Sequence, residues 1–157
     1  MDNAIIILGD ETFMEYKVLE EHEVKLMKEV LEDDNMIFNL DFLNSFIKDP
    51  NSFGFIAKEE NTIVGFAYGY TLLRPDGKNM FYLHSIGMLP NYQDKGNGTG
   101  LLSYIKDYSK ALGCSEMFVI TDKGNPRACH VYEKLGGKND YEDEVVYVYD
   151  YEKGDNL

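Results

Sequence analysis

Two cysteines, three histidines and no apolar run long enough to cross a bilayer remove several classes of protein at once. Cys114 and Cys129 are too few for a disulfide framework and fit free thiols in a reducing compartment. His22, His84 and His130 stand apart, without the His/Cys/carboxylate spacing of a zinc site, so no metal is expected. Basic residues are scarce: 15 Lys and Arg against 28 Asp and Glu give a net charge of -13. That balance argues against nucleic acid as the main partner, because phosphate contacts need a basic surface. Asp2 stands where a signal peptide would carry positive charge, and the apolar run 4–8 is short. The expectation is a cytoplasmic chain with no membrane partner. Repeats, low-complexity tracts and linkers are missing as well.

What is present suits a compact enzyme. A chain of 157 residues, 44% of them hydrophobic, reads as a single domain over residues 1–157 with a real core. Acidic clusters at 20–23, 29–34 and 140–144 read either as solvated faces or as an attraction for a cationic acceptor. Residues 4–8 and 13–19 read as strands. Val24, Met27, Val30 and Leu31 give a helical stripe behind an acidic first turn, and 41–47 is a second short helix. Residues 52–58 and 62–73 are strands joined by the polar connection Glu59-Glu60-Asn61, and Arg74-Pro75-Asp76-Gly77 is a turn. A strand at 80–88, a helix at 99–112 closed by Gly113, a strand at 117–121, a further helix and a last strand at 145–151 complete the order. Antiparallel strands followed by strand-helix-strand-helix-strand indicate an α/β fold: a mixed, mostly antiparallel sheet with helices on both faces.

The chemistry concentrates in Gln93-Asp94-Lys95-Gly96-Asn97-Gly98-Thr99-Gly100, a glycine-dense loop between the strand 80–88 and a helix whose stripe is Leu101, Leu102, Ile105, Tyr108 and Leu112. Such a loop directs backbone N–H groups and the positive end of a helix dipole at one point, where a pyrophosphate can sit. A glycine-rich turn that only connects a strand to a helix would read the same. Leu101 stands where a dinucleotide fingerprint needs glycine, and no Gly-Lys-Ser/Thr of a P-loop occurs. Further on, Asn125 is a good N-cap, Pro126 suits the first helical position, and Gly136 or Gly137 can take the left-handed C-terminal turn. Ala128, Val131 and Leu135 share a stripe on this helix, and Tyr132 lies beside it. A half-buried core tyrosine is the plain reading of that position.

Gln93-x-x-Gly96-x-Gly98, followed in order by Asn125-x-x-Ala128-x-x-x-Tyr132-x-x-x-Gly136, resembles the acetyl-CoA signature of the GNAT N-acetyltransferase superfamily, and the element order matches that fold over essentially the whole chain. Within the superfamily the chain is similar to the GNAT-type gentamicin (aminoglycoside) 3-N-acetyltransferases. The resemblance lies in Ile63-Val64-Gly65-Phe66-Ala67, in 82–90 with the glycine loop, in Tyr132-Glu133-Lys134-Leu135-Gly136, and in the acidic segment before Val145-Val146-Tyr147. Those enzymes carry Tyr-Asp-hydrophobic-Ala-Val where this chain has His84-Ser85-Ile86-Gly87-Met88, so Ser85 replaces a carboxylate near the acceptor amine.

The resemblance implies acetyl-CoA as cosubstrate and a small cationic amine as acceptor. Backbone amides of Lys95, Gly96, Gly98 and Thr99 would hold the pyrophosphate within the loop Gln93 to Gly100, with Asn97 and Gly100 completing the turn. The strand end Ile86-Gly87-Met88 would meet the cofactor, the Met88 N–H donating to the thioester oxygen. Asn125 and Ala128 would help to fix CoA, and Tyr132 would protonate the departing sulfur. The base stays open between His84, which strand alternation sets on the face opposite Ser85, and water leading to Glu144 or Asp143. A packing or hydrogen-bonding role for His84 is equally consistent. Members of the family are often dimers, so the resemblance allows a homodimer, and the sequence itself does not give the oligomeric state. Acetylation of a protein amino terminus or lysine is the alternative reaction, and a non-catalytic acyl-CoA sensor the alternative of another class.

Overall fold

Five of the six strands form an antiparallel meander, and the sixth joins it in parallel. The computed structural model describes residues 3–8 and 12–152; Met1 and Asp2, which entered the reading of the leader, lie outside them. Strands β1 (Ala4–Leu8), β2 (Thr12–Val18), β3 (Ser52–Glu59), β4 (Thr62–Leu72), β5 (Met80–Met88) and β6 (Glu116–Val119) lie in sequence order across one sheet. Only β5 and β6 are parallel. A parallel neighbour needs a crossover, and α3 (Asn97–Ala111) supplies it.

α3 covers one face of the sheet. Its Leu101, Leu102, Tyr104 and Ile105 are buried with Phe55 and Phe81 of β3 and β5. Phe55 meets Phe81, Tyr104 and Tyr108 edge-on at ring separations of 5.3–6.3 Å, an arrangement worth about 0.5–1.5 kcal/mol per pair beyond area burial. A Cβ on Gly100 would run into the ring of Tyr16 on β2, so this glycine lets the helix approach the sheet.

The opposite face carries a two-turn 3₁₀ segment (Glu21–Leu26), α1 (Lys28–Asp33) and α2 (Leu40–Lys48). The stripe expected at 24–31 is therefore split at Met27 into a 3₁₀ and an α piece, with Val24, Met27, Val30 and Leu31 all buried as the pattern requires. A buried ion triad fixes this layer. Glu23, 1% exposed, accepts from Lys17 of β2 at 3.0 Å and from Lys58 of β3 at 2.7 Å. Burial alone would raise the Glu23 carboxyl, but the hydrogen bonds from Lys58 and Lys17 outweigh it and hold it below its ordinary value.

The strand expected at 145–151 does not form. The segment is irregular and has no ladder partner among the described residues, and Val145, Tyr147 and Val148 are 69%, 81% and 80% exposed. Its β-branched and aromatic composition fits a pleated surface, but composition does not supply a partner edge.

Removing Glu23 leaves the Lys58 ammonium without its counter-ion and Lys17 with Glu20 alone. Glu23→Gln is expected to destabilise the chain by about 3–5 kcal/mol. Arg74→Ala, which breaks the exposed pair with Asp76, should lose under about 1 kcal/mol. Because the carboxyl's folded value is lowered, its contribution is present above the ordinary range of a carboxylate and is lost as pH falls through the folded value. Urea denaturation across pH should show the difference between wild type and Glu23→Gln closing on the acid side. A difference that persisted unchanged there would contradict this reading.

Candidate active site

β5 is longer than its parallel partner. Pairing with β6 runs from Met80 opposite Glu116 to Leu83 opposite Val119 and stops, whereas pairing with β4 continues to Met88. Leu89 N–H donates to the carbonyl of Val64 on β4 (2.8 Å). Successive amides along a strand point to alternate edges, so the Met88 N–H points away from β4, to the side where β6 has already ended. Ile86 is half-buried on this stretch and Gly87 is exposed.

A bulge changes which side chains meet. Tyr68 stands opposite Ser85 and the next residue, Gly69, opposite Leu83, so His84 is an extra residue without a cross-strand partner. Ser85 shares the face of Tyr68, its direct partner. His84 lies on that face too, its ring 5.1 Å from the Tyr68 ring. The expectation that alternation separates His84 from Ser85 is thus corrected: the bulge interrupts the alternation and brings both to the face covered in part by α1 and α2.

Aromatic rings line this face. Tyr70, Tyr82 and Phe118 stack across β4, β5 and β6 at 6.5 and 5.0 Å, and Phe46 of α2 meets Tyr68 and Tyr70 edge-on. The hydroxyl of Tyr82 lies 2.8 Å from His84 Nδ1. Burial pushes the Tyr68 phenol above its ordinary value, with Tyr70, Asp34 and Tyr82 adding to it.

Beyond Met88 the chain makes a short 3₁₀ turn, Pro90–Tyr92, and enters the glycine loop. Gln93 Nε2 donates to the Met88 carbonyl (3.0 Å) and buried Asn97 Nδ2 to the Tyr92 carbonyl (3.0 Å). Asn97 therefore braces the loop from beneath. Asp94 takes a left-handed conformation (φ 58°), as does Gly96 (φ 83°), which caps α3. No side chain caps this helix and no acidic residue occupies its first turn, so the amides of Asn97, Gly98 and Thr99 are presented to an anion. Gly100 N–H closes on the Gly96 carbonyl. A Cβ at Gly98 would meet only Met88 Cγ, at 3.8 Å. Lys95 is exposed beside it.

The second segment forms α4 (Pro126–Lys134), with the Asn125 side chain accepting from Ala128 N–H (3.2 Å) and Gly136 in the left-handed turn (φ 89°). Arg127 was not singled out by the sequence, yet it ties this helix to the loop, donating to Asp94 Oδ2 and to Gln93 Oε1, each at 2.9 Å. Tyr132 is half-buried at a groove shared with Leu102, Met117, Val119 and Leu135. Burial raises its phenol above the ordinary value, with Cys129 adding to the shift, so it stays protonated at neutral pH.

Loop, strand end and α4 are thus brought together by direct bonds, while His84 and Ser85 stand earlier on β5. Glu144 and Asp143 lie exposed in the segment after α4, and no described hydrogen bond or ion pair joins them to β5 or the loop. Ligand atoms of Glu20, His22 and Glu23 lie within 4.8 Å of one another, but Lys17 engages both carboxylates, so the group adjoins the ion triad and shares its lysine. Among the described residues no helix is long and apolar enough to cross a membrane.

Comparison with known proteins agrees with this geometry. Residues 14–137 match the Acetyltransferase (GNAT) family. An uncharacterized N-acetyltransferase, YhfO of Bacillus subtilis (strain 168), is 29% identical over 109 residues, 69% of this chain and 70% of its own. Thialysine N-epsilon-acetyltransferase of Mus musculus is 26% identical over 127 residues, 78% and 71% of the two chains. An aminoglycoside acetyltransferase from an uncultured soil metagenomic sample, solved in complex with sisomicin, superposes with a TM-score of 0.71 at 26% identity, covering 87% of this chain and 94% of its own. With the family matched over most of its length and the fold shared, this chain belongs to the GNAT family of N-acetyltransferases, enzymes that use acetyl-CoA.

Proposed function

We propose that this N-acetyltransferase moves acetyl from acetyl-CoA to a primary amine of a small cationic acceptor, aminoglycosides being the first candidates and the 3-amino group the first position to examine. The observation that carries the reading is the uncapped first turn of α3 lying next to a Met88 N–H that no strand engages. The acceptor class is supported by the likeness to the aminoglycoside acetyltransferase and by the net charge of -13. An aliphatic lysine-like amine is the second reading, favoured by the mouse relative named for thialysine.

In this reading the pyrophosphate lies on the amides of Lys95, Gly96, Gly98 and Thr99, with Gln93, Asp94, Asn97 and Gly100 shaping the loop. Ile86, Gly87 and Met88 offer the free edge of β5 to the acyl arm, and the Met88 N–H stabilises the tetrahedral oxyanion. Asn125 and Ala128 begin the helix that carries Tyr132. The acceptor ammonium loses a proton to His84 through ordered water, beside Ser85; Glu144 is the alternative end of a water chain. The amine nitrogen attacks the thioester carbonyl, the C–S bond breaks, Tyr132 gives its proton to the thiolate, and the second proton shed by the nitrogen as the amide forms restores the phenol.

Three measurements test these roles. Gly98→Asp adds bulk and negative charge at a position where the protein itself leaves room, so calorimetry should find acetyl-CoA binding lost with thermal stability unchanged. Unaltered affinity would take the loop out of the site.

Tyr132→Phe keeps the ring and deletes the acid. Turnover should fall ~100-fold with acetyl-CoA affinity nearly intact. A loss confined to stability would make this a packing tyrosine.

For the acceptor, kcat/KM toward an aminoglycoside should decline as salt rises, because an acidic protein steers a polycation. Ser85→Asp, by supplying a carboxylate on the acceptor face, should raise it. Transfer to neutral or peptide amines alone, insensitive to salt and to Ser85→Asp, would favour protein acetylation instead.

A further inference from the structure

We infer that Tyr82 is a positioning residue for the proton-accepting histidine: its hydroxyl oxygen accepts from His84 Nδ1–H, the tautomer in which Nε2 is presented without a proton to the acceptor amine. The inference rests on His84 as the base in the reaction above. Three observations carry it. The bulge removes His84 from the strand ladder, and its side chain is exposed. The ring is nevertheless fixed, tilted against Tyr68 at 5.1 Å and edge-on to Tyr82 at 5.5 Å, with Nδ1 2.8 Å from the Tyr82 hydroxyl. Tyr82 is held in turn, stacked between Tyr70 and Phe118, its direct partners on the two neighbouring strands. An exposed imidazole held at one nitrogen by a clamped partner is not a packing residue, since it fills no interior space.

The tautomer decides what such a histidine can do. With the hydrogen on Nε2, the reachable nitrogen has no lone pair to offer. With the hydrogen on Nδ1 donated to the phenol oxygen, Nε2 is free, and the imidazolium formed on taking a proton keeps the same hydrogen bond. The titratable groups facing His84 are Tyr82 on its own strand and Tyr68 on β4. Tyr70 lies beyond Tyr68, and Asp34, at the end of α1, acts on the Tyr68 hydroxyl. His84 precedes Met88 by four positions, ~13 Å of strand rise, so a file of ordered water completes the path from an amine at the thioester. The ammonium proton passes through that water to Nε2, the nitrogen lone pair forms the new C–N bond, and the thiolate leaves to be protonated as above.

The experiment combines ¹⁵N NMR of the His84 ring with the pH dependence of kcat/KM in wild type, Tyr82→Phe and His84→Gln. The wild-type neutral ring should carry its hydrogen on Nδ1, and in Tyr82→Phe it should move to Nε2. In that variant kcat/KM should fall roughly 10-fold, the lower end of what losing the orienting partner costs at metal-ligating histidines, and its acid limb should move to lower pH, because the imidazolium has lost an acceptor. A merely structural role for Tyr82 would change neither the tautomer nor the limb. An Nε2–H ring in wild type, or a tautomer and acid limb unaltered by Tyr82→Phe, would overturn the inference even if His84→Gln were inactive. A His84→Gln enzyme with the wild-type profile would instead remove His84 as base, and the catalytic part of the inference with it, whatever the tautomer.

Discussion

The parallel pairing of β5 with β6 ends five residues before β5 does, counting from Leu83 to Met88, and the site depends on that mismatch. A β-strand that has lost a neighbour carries unpaired amides and carbonyls along one edge, and in a folded protein such groups find another partner. Here the Met88 carbonyl is taken by the Gln93 side chain. The Met88 N–H points into the gap left where β6 has ended. The same end of β5 delivers the chain into the loop that starts α3, so two sets of unused backbone donors lie close together without any charged side chain having to be buried.

The two faces of the sheet divide the work. On one, α3 is locked by the ring cluster around Phe55 and by contact of Gly100 with Tyr16, which gives the helix terminus a fixed aim. On the other, the ion triad around Glu23 holds the helical segments over a row of aromatic side chains. The loop between the faces is held more lightly. Neutral hydrogen bonds from Gln93 and Asn97 contribute about 1 kcal/mol each, and the exposed Arg127–Asp94 pair contributes little to stability. Arg127 matters for geometry instead, because it makes the loop and the helix of Tyr132 neighbours.

Features with a local cause were legible in the sequence. α4 is bounded by Asn125 and Pro126 at one end and Gly136 at the other, each acting on its own backbone, and β5 was read at 80–88 as it is found. α3 starts at Asn97 rather than 99 because its cap is the conformation of Gly96, which leaves no side-chain signal. Features created by register or by distant pairing were not legible. The bulge at His84 depends on how β4 meets β5, and the contact of Tyr82 with His84 follows from it. Arg127 reaches Gln93 and Asp94 across more than thirty residues of chain, and no periodicity reports such a pair. Residues 145–151 show the converse: a good strand pattern joins no ladder among the described residues, because a pattern specifies a surface and not its neighbour.

The central claim is that backbone amides, those of the first turn of α3 and of Met88, receive the cofactor. Amide ¹H–¹⁵N spectra recorded during titration with acetyl-CoA test it directly, with CoA lacking the acetyl group as the comparison. The account predicts large shifts at Asn97, Gly98 and Thr99 with both ligands, and at Met88 a shift that needs the acetyl group. Shifts confined to the groove beside Lys28, Glu32 and Pro90, with Met88 and the start of α3 unmoved, would contradict it.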